Sequence, residues 1–144
     1  MHLRMNVALL RSSFELVTDR QPLLVRRFYE ILFARYPQAQ RMFGRNTQPA
    51  QEKMLTSALV AVLDHLEDAE WFHSTLGALG AKHVGYGVTE EMYGWVGECL
   101  LAAIAEAAGD DWSAELAALW TSAYGAIAGA MLAGARGAAV ADAA

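Results

Sequence analysis

Apolar residues recur along this chain at intervals of three and four, the period that gathers them on one face of an α-helix. Val7, Leu10, Phe14 and Val17 make the first such stripe and predict a helix over residues 6–18. The run Thr18-Asp19-Arg20-Gln21-Pro22 reads as the opening of a second helix. Thr18 or Asp19 can accept from the free N–H groups of a first turn, and Pro22 sits where no N–H is needed. This helix carries Val25, Phe28, Tyr29, Leu32 and Phe33 and ends near Tyr36, because Pro37 disfavours helical backbone in the residue before it. A short turn passes through Met42 and Phe43, and residues 44–48 read as a loop. Residues 49–65 place Gln51, Leu55, Ala58 and Val62 on one helical face, with Leu59 alongside.

Residues 69–84 bring Leu76, Leu79, Gly80 and His83 onto one face, and Gly85-Tyr86-Gly87 ends that helix. Thr89 caps the next helix, to about Ala108, with Glu90 and Glu91 in its positive first turn. After a turn at residues 109–111 the last helix starts near Trp112 or Ser113 and passes Met131. From about Gly134 it is rich in alanine and glycine and is predicted to fray. Alternating runs and internal repeats are absent. The pattern therefore predicts one all-α domain over residues 1–144, with its core at about 6–135.

Composition changes this picture in three ways. Hydrophobic residues are 55% of the chain and charged residues 19%, richer in apolar residues than an average soluble domain. Alanine in the last third explains part of that, and an apolar cofactor needing side chains around it would explain the rest. The single cysteine, Cys99, excludes an intrachain disulfide and suits a reducing compartment. Residues 1–6 show no apolar leader segment, and no apolar run reaches the ~20 residues a membrane helix needs. A cytoplasmic location and no membrane partner are the expectations. The net charge of −5 makes nucleic acid a poor partner. Charge is uneven: residues 1–53 hold nine basic and four acidic side chains, the remainder two and twelve. That pattern fits two solvated faces or a docking surface for a redox partner.

A metal site needs a donor atom on a rigid, mostly apolar wall. Of the four histidines only His83 has that setting, and the small Gly80 would let a flat group approach its helix closely. On its own, a histidine on an apolar face is more often a satisfied core residue than a ligand. His2 lies at the terminus, His73 in a connection or first turn, and His65 at a helix end or surface. Tyr29 and Gln51 are polar residues on otherwise apolar stripes, where each needs a partner. Facing one small cavity, they could both donate to a partly anionic ligand. Alternatively Tyr29 bonds a backbone carbonyl and Gln51 points to solvent.

The run from Phe28 to Pro37, Phe28-Tyr29-Glu30-Ile31-Leu32-Phe33-Ala34-Arg35-Tyr36-Pro37, followed by Phe43, resembles the second and third helices of bacterial haemoglobins and of the globin domains of flavohaemoglobins. Leu79-Gly80-Ala81-Lys82-His83-Val84-Gly85-Tyr86-Gly87-Val88 resembles their proximal helix, Tyr93-Gly94-Trp95-Val96-Gly97-Glu98-Cys99-Leu100-Leu101 the next, and Trp120 with Tyr124 the last. The likeness to the globin family spans about residues 6–135. It implies a globin fold holding haem, with iron on His83. The haem would be haem b, since no Cys-x-x-Cys-His attachment motif exists. It implies Phe43 against the porphyrin, Tyr29 and Gln51 as distal hydrogen-bond donors, and Leu55 beside the bound gas. Lys82, Tyr86, Val88 and Trp95 would be pocket neighbours, and Tyr93 would stand near the ligand histidine. Dioxygen, nitric oxide and carbon monoxide are the implied ligands. Reversible dioxygen binding is the leading function; the alternatives are nitric oxide dioxygenation served by a separate reductase, and gas or redox sensing.

Three departures accompany the resemblance. Flavohaemoglobins pair the tyrosine at Tyr93 with a glutamate on the last helix, which aligns with Ala135, between Gly134 and Arg136. Without that carboxylate His83 should be a more ordinary neutral ligand, able to bond a backbone carbonyl. Met54 stands where many globins have a basic residue near a haem propionate, leaving Lys53, Arg41, Arg45 or Lys82 for that task. No flavin or nicotinamide domain follows residue 144, so turnover would need electrons from elsewhere.

Overall fold

The structure is a computed structural model and describes residues 6–43 and 48–143, with side chains to residue 138. Six α-helices follow one another: α1 (Val7–Arg20), α2 (Leu24–Arg35), α3 (Gln48–Asp64), α4 (Ala69–Gly85), α5 (Glu90–Ala108) and α6 (Ala114–Ala143). Short 3₁₀ segments, Pro37–Phe43 and Gly109–Asp111, join α2 to α3 and α5 to α6. No strand occurs among the described residues.

The first helix boundary differs from the sequence expectation. Thr18 does not cap α2; its hydroxyl donates back to the Phe14 carbonyl at 2.9 Å, inside α1. The Gln21 N–H reaches the Val17 carbonyl at 2.8 Å and closes α1. Pro22 therefore lies in the turn, and α2 starts at Leu24 without a side-chain cap. Thr89 is the N-cap of α5, as its sequence position predicts.

Helices α5 and α6 pack together, with α1 in contact with both and α2 packed on α5. Phe28, Leu10, Leu24, Leu32 and Ile104 are among the largest fully buried side chains there. Ser13 is the one buried polar residue of this core among the described residues. Its hydroxyl donates to the Leu10 carbonyl at 2.9 Å and accepts the Trp120 indole N–H at 3.0 Å. The polar atoms of α1 and α6 are thus matched inside the core, which avoids the cost of an unpaired buried group.

Helix α4 packs most extensively on α6. Two points of backbone contact set the pair. A Cβ on Gly80 would collide with the Met131 carbonyl, and one on Gly134 with the Gly77 carbonyl. Because Gly77 meets Gly134 and Gly80 meets Met131, the two helices run antiparallel where they touch. The room at Gly80 is thus taken by the α6 backbone, not left for a planar group as the sequence suggested. Gly80→Ala should destabilise the fold by about 1–3 kcal/mol, because the colliding atoms are backbone and cannot swing away. Gly129, on α6 with open space at its Cβ position, is the control: Gly129→Ala should be neutral or stabilising by up to about 1 kcal/mol. Urea unfolding of the two variants measures both.

Helix α6 runs on to Ala143, past the point near Gly134 where fraying is expected. Alanine favours helix, and Gly134 is held against α4. Its segment Ala114–Ala138, with a mean hydropathy of 1.4, is by length and composition alone apolar enough to cross a membrane. The sequence reading found no such run. Alanine supplies much of that apolarity, and 28% of the stretch is buried within this fold.

Candidate functional site

Between α3 and α4 lies a cavity of about 180 Å³ with an almost wholly apolar wall. Helix α3 contributes Leu55, Leu59 and Val62, and α4 contributes Leu76, Leu79 and His83. Val88, Met92, Tyr93 and Val96 form another side, and Tyr124, Ile127, Ala128 and Met131 of α6 close it. No carboxylate, lysine or arginine lines it.

His83 is half-buried, and its Nδ1 lies 2.7 Å from the Leu79 carbonyl oxygen one turn back. A carbonyl only accepts, so Nδ1 carries the proton and Nε2 of the neutral ring keeps its lone pair. The same bond restrains the ring. Tyr86 stands edge-on to it at 5.6 Å between centroids. This is the carbonyl-bonded histidine expected where no carboxylate is supplied.

No group of three or more histidine, cysteine or acidic side chains gathers anywhere among the described residues. One neutral imidazole is too few protein ligands for a bare divalent ion. It suits a metal that brings its remaining ligands with it on an apolar frame, as haem does. Tyr93 supplies a second observation. It is 8% exposed, and its hydroxyl is buried with no hydrogen-bond partner among the described residues. Burial pushes this phenol's pKa up, so it stays protonated. A buried hydroxyl without a partner costs about 1–3 kcal/mol, so Tyr93, on the cavity wall, is a donor still open to an acceptor. The residues present fit a haem.

Tyr29 and Gln51 come together as a pair. The Gln51 amide donates to the Tyr29 hydroxyl at 3.0 Å. Accepting that bond leaves the phenol its own proton to give. Tyr29 is 2% exposed, with Phe28, Phe33 and Phe43 around its ring at 4.9, 5.6 and 5.3 Å. Burial raises its pKa, partly opposed by the Gln51 bond. The pair adjoins the cavity wall rather than lining it: Leu55, one turn beyond Gln51, does line it.

The other expected residues divide. Leu55, Val88, Tyr93 and His83 line the cavity. Phe43 sits in the Tyr29 aromatic cluster, also against Phe33 at 5.8 Å. Trp95 stacks on Tyr36 at 4.8 Å. Lys82 is exposed, Tyr86 is 48% exposed, and neither is on the cavity wall. Arg41 and Lys53 are exposed, and Arg45 lies outside the described residues, as does His2.

Ala135 follows Gly134 at the Gly77 end of the α4–α6 contact. Continuing the antiparallel register, the residue level with His83 is Ala128, not Ala135. The two positions are seven residues apart, or about 10 Å along the helix. Met92, Ile127, Ala128 and Met131 went unread in the sequence. The signal was there for α6, since Trp120, Tyr124, Ile127 and Met131 recur at helical spacing.

A family model described as Globin matches residues 26–131 of this chain. The chain is a globin. A flavohemoprotein of Bacillus thuringiensis subsp. konkukian is 32% identical over 128 residues, covering 88% of this globin and 31% of that protein. A flavohemoprotein of Bordetella pertussis is 30% identical over 123 residues, covering 84% and 31%. This globin therefore spans about a third of the length of these relatives. Among solved structures, a bacterial globin from Campylobacter jejuni superposes with a TM-score of 0.68 at 29% identity, covering 88% of this chain and 96% of that one. An engineered carbene transferase, described as a putative nitric oxide dioxygenase from Rhodothermus marinus, superposes with a TM-score of 0.85 over 100% of both chains; at 24% identity it speaks to the fold.

Proposed function

We propose that this globin holds haem b through His83 Nε2 and binds dioxygen and other diatomic gases reversibly. The observation that carries the proposal is the His83–Leu79 bond, which commits Nδ1 as a donor and leaves Nε2 as the nitrogen that can bind a metal, on an otherwise apolar cavity wall. When bound, haem supplies an iron with a coordination position open to a small gas. His83 fixes the group in place. The Leu, Val and Ile side chains exclude water. Tyr29 would donate a hydrogen bond to a partly anionic ligand and keep its proton, while Gln51 steadies the phenol oxygen. Non-covalent haem b fits, because Cys99 is fully buried in the main core. Titrating the protein with haem and recording its absorption tests the proposal; a stoichiometric end point supports it, and unsaturable weak uptake opposes it.

The reduced, haem-loaded protein should be mainly five-coordinate. Gln51 is a poor iron ligand compared with imidazole. His65 is held elsewhere, its Nδ1 2.8 Å from the Ala61 carbonyl and its ring stacked on Trp71 at 4.1 Å. Met92 on the cavity wall has its sulfur against the Thr89 N–H at 3.5 Å. A low-spin six-coordinate ferrous spectrum at neutral pH would contradict this, and Met92 or Met54 would become the suspect.

Nitric oxide dioxygenation is the second reading, favoured by relatives that are flavohemoproteins. The oxygen-loaded protein should consume nitric oxide in one fast turnover. Continued consumption should require an added flavin reductase, because a globin domain has no site that transfers electrons from nicotinamide. A nitric oxide electrode records both phases. Sustained consumption by this chain on NADH alone would overturn the carrier reading in favour of an enzyme.

A further inference from the structure

Away from the cavity, a cluster of polar and aromatic side chains joins the C-terminal end of α2 to α5. The Tyr36 N–H closes α2 on the Leu32 carbonyl at 2.7 Å. The Tyr36 ring lies flat on Trp95, with 4.8 Å between centroids and 7° between planes. Glu98, one turn past Trp95, has a different partner for each carboxylate oxygen. The Tyr36 hydroxyl donates to Oε1 at 2.6 Å, and Arg35 Nη1 donates to Oε2 at 2.8 Å. The ring plane and the hydroxyl direction of Tyr36 are thus both fixed. Solvent reaches this point, for Tyr36 is partly exposed and the Glu98 side chain is 45% exposed.

A phenol gives up an electron far more readily when its proton leaves at the same time, because the alternative is a strongly acidic radical cation. The acceptor must be a base within hydrogen-bond reach. Glu98 is one. The bonds from Tyr36 and Arg35 hold its pKa below the usual carboxylate range, so it is ionised at neutral pH. The same Tyr36–Glu98 bond, ahead of burial, holds the phenol pKa up, so its proton is present to be given. The other tyrosines are placed differently. Tyr29 and Tyr93 are buried, and Tyr124 donates to the Tyr93 carbonyl at 2.6 Å, a neutral acceptor. Tyr86 is 48% exposed, more open than Tyr36. The single thiol, Cys99, is fully buried and does not compete for an oxidant in solution.

We propose that Tyr36 is a site of one-electron oxidation by small neutral radicals such as nitrogen dioxide, with Glu98 as its proton acceptor, and so the preferred site of nitration in this chain. Nitrogen dioxide takes one electron and leaves as nitrite. The O–H bond of Tyr36 breaks, its proton passes to Glu98 and on to water, and a neutral phenoxyl radical remains. A second nitrogen dioxide forms a C–N bond at the ring carbon beside the oxygen. The hydrogen on that carbon then passes through water to the oxygen, which restores the phenol as 3-nitrotyrosine. A neutral oxidant is not repelled by the acidic side chain it must approach. The inference goes beyond gas binding and does not depend on haem.

The test is exposure of the full chain to nitrogen dioxide made by pulse radiolysis of nitrate, with nitrotyrosine located by mass spectrometry of peptides. Haem and carbon monoxide are in place so that the iron is shielded; a chain that takes up no haem is tested in the same way, so failure of the carrier reading leaves this result to stand alone. Tyr36 should carry more nitrotyrosine than Tyr86, although exposure alone ranks them the other way. Glu98→Gln should lower the Tyr36 yield about tenfold, less than a positioned base contributes in an enclosed site, since water can stand in for it. Arg35→Met removes the ion pair and leaves the base, so it should keep the wild-type preference. Nitration of Tyr86 ahead of Tyr36 in the wild type would overturn the proposal, and so would an unchanged Tyr36 yield in Glu98→Gln. An equal loss in Arg35→Met and Glu98→Gln would overturn it too, because it marks local order, not proton transfer, as the cause.

Discussion

His83→Ala is expected to lose stoichiometric haem. Among the described residues no other histidine lines the cavity. His65 is engaged with Ala61 and Trp71, and His73 is exposed on the far side of Phe72. Removing a group that merely supports a metal ligand costs roughly 10–100-fold in affinity. Removing the ligand itself should cost more, because the remaining hold is apolar contact alone. The truncation leaves a space shaped like imidazole beside the Leu79 carbonyl, so added imidazole should restore part of the binding. Spectrophotometric haem titration of the variant, with and without imidazole, reads both effects. Full occupancy with an unchanged spectrum would show that the iron is held elsewhere.

Tyr29→Phe should speed dioxygen release from the reduced, haem-loaded protein by about ten- to a hundredfold. A hydrogen bond to a charge-bearing acceptor is worth roughly 1.5–3 kcal/mol, at about 1.4 kcal/mol per factor of ten. Tyr29 is rigid, 2% exposed and enclosed by three phenylalanines, so it surrenders little freedom in donating. The substitution also leaves the Gln51 amide without its 3.0 Å acceptor. Gln51→Leu should do less, since the phenol keeps its proton and its aromatic setting. Stopped-flow release rates rank the two; equal or reversed effects would show that the amide, not the phenol, is the principal donor.

What the sequence made legible and what it hid follow one rule. Features governed by local period were readable: six helices, the shared face of Leu76, Leu79 and His83, and the polar pair Tyr29 and Gln51. Features governed by where helices cross were not. Gly80 lies on the same helix as His83, yet what fills the space beside it depends on the position of Met131, 51 residues later. Ala135 aligned by counting from Tyr124, whereas its level against α4 is set by the Gly77–Gly134 contact. Phe43 and Trp95 were assigned to the pocket by resemblance; the aromatic partners each has, from α2 or its C-terminal end, could not be read from local period. Thr18 could satisfy its hydroxyl inside α1 as readily as at a cap, and the longer α1 prevailed.

Resonance Raman scattering from the reduced, haem-loaded protein tests the central claim most directly, because it reports the bond between iron and its protein ligand. A five-coordinate high-spin spectrum with an iron–imidazole stretch in the range of a neutral, carbonyl-bonded histidine, lost in His83→Ala and restored by imidazole, is the result predicted. The same stretch persisting in His83→Ala, or no iron–histidine stretch in the wild type, would contradict it.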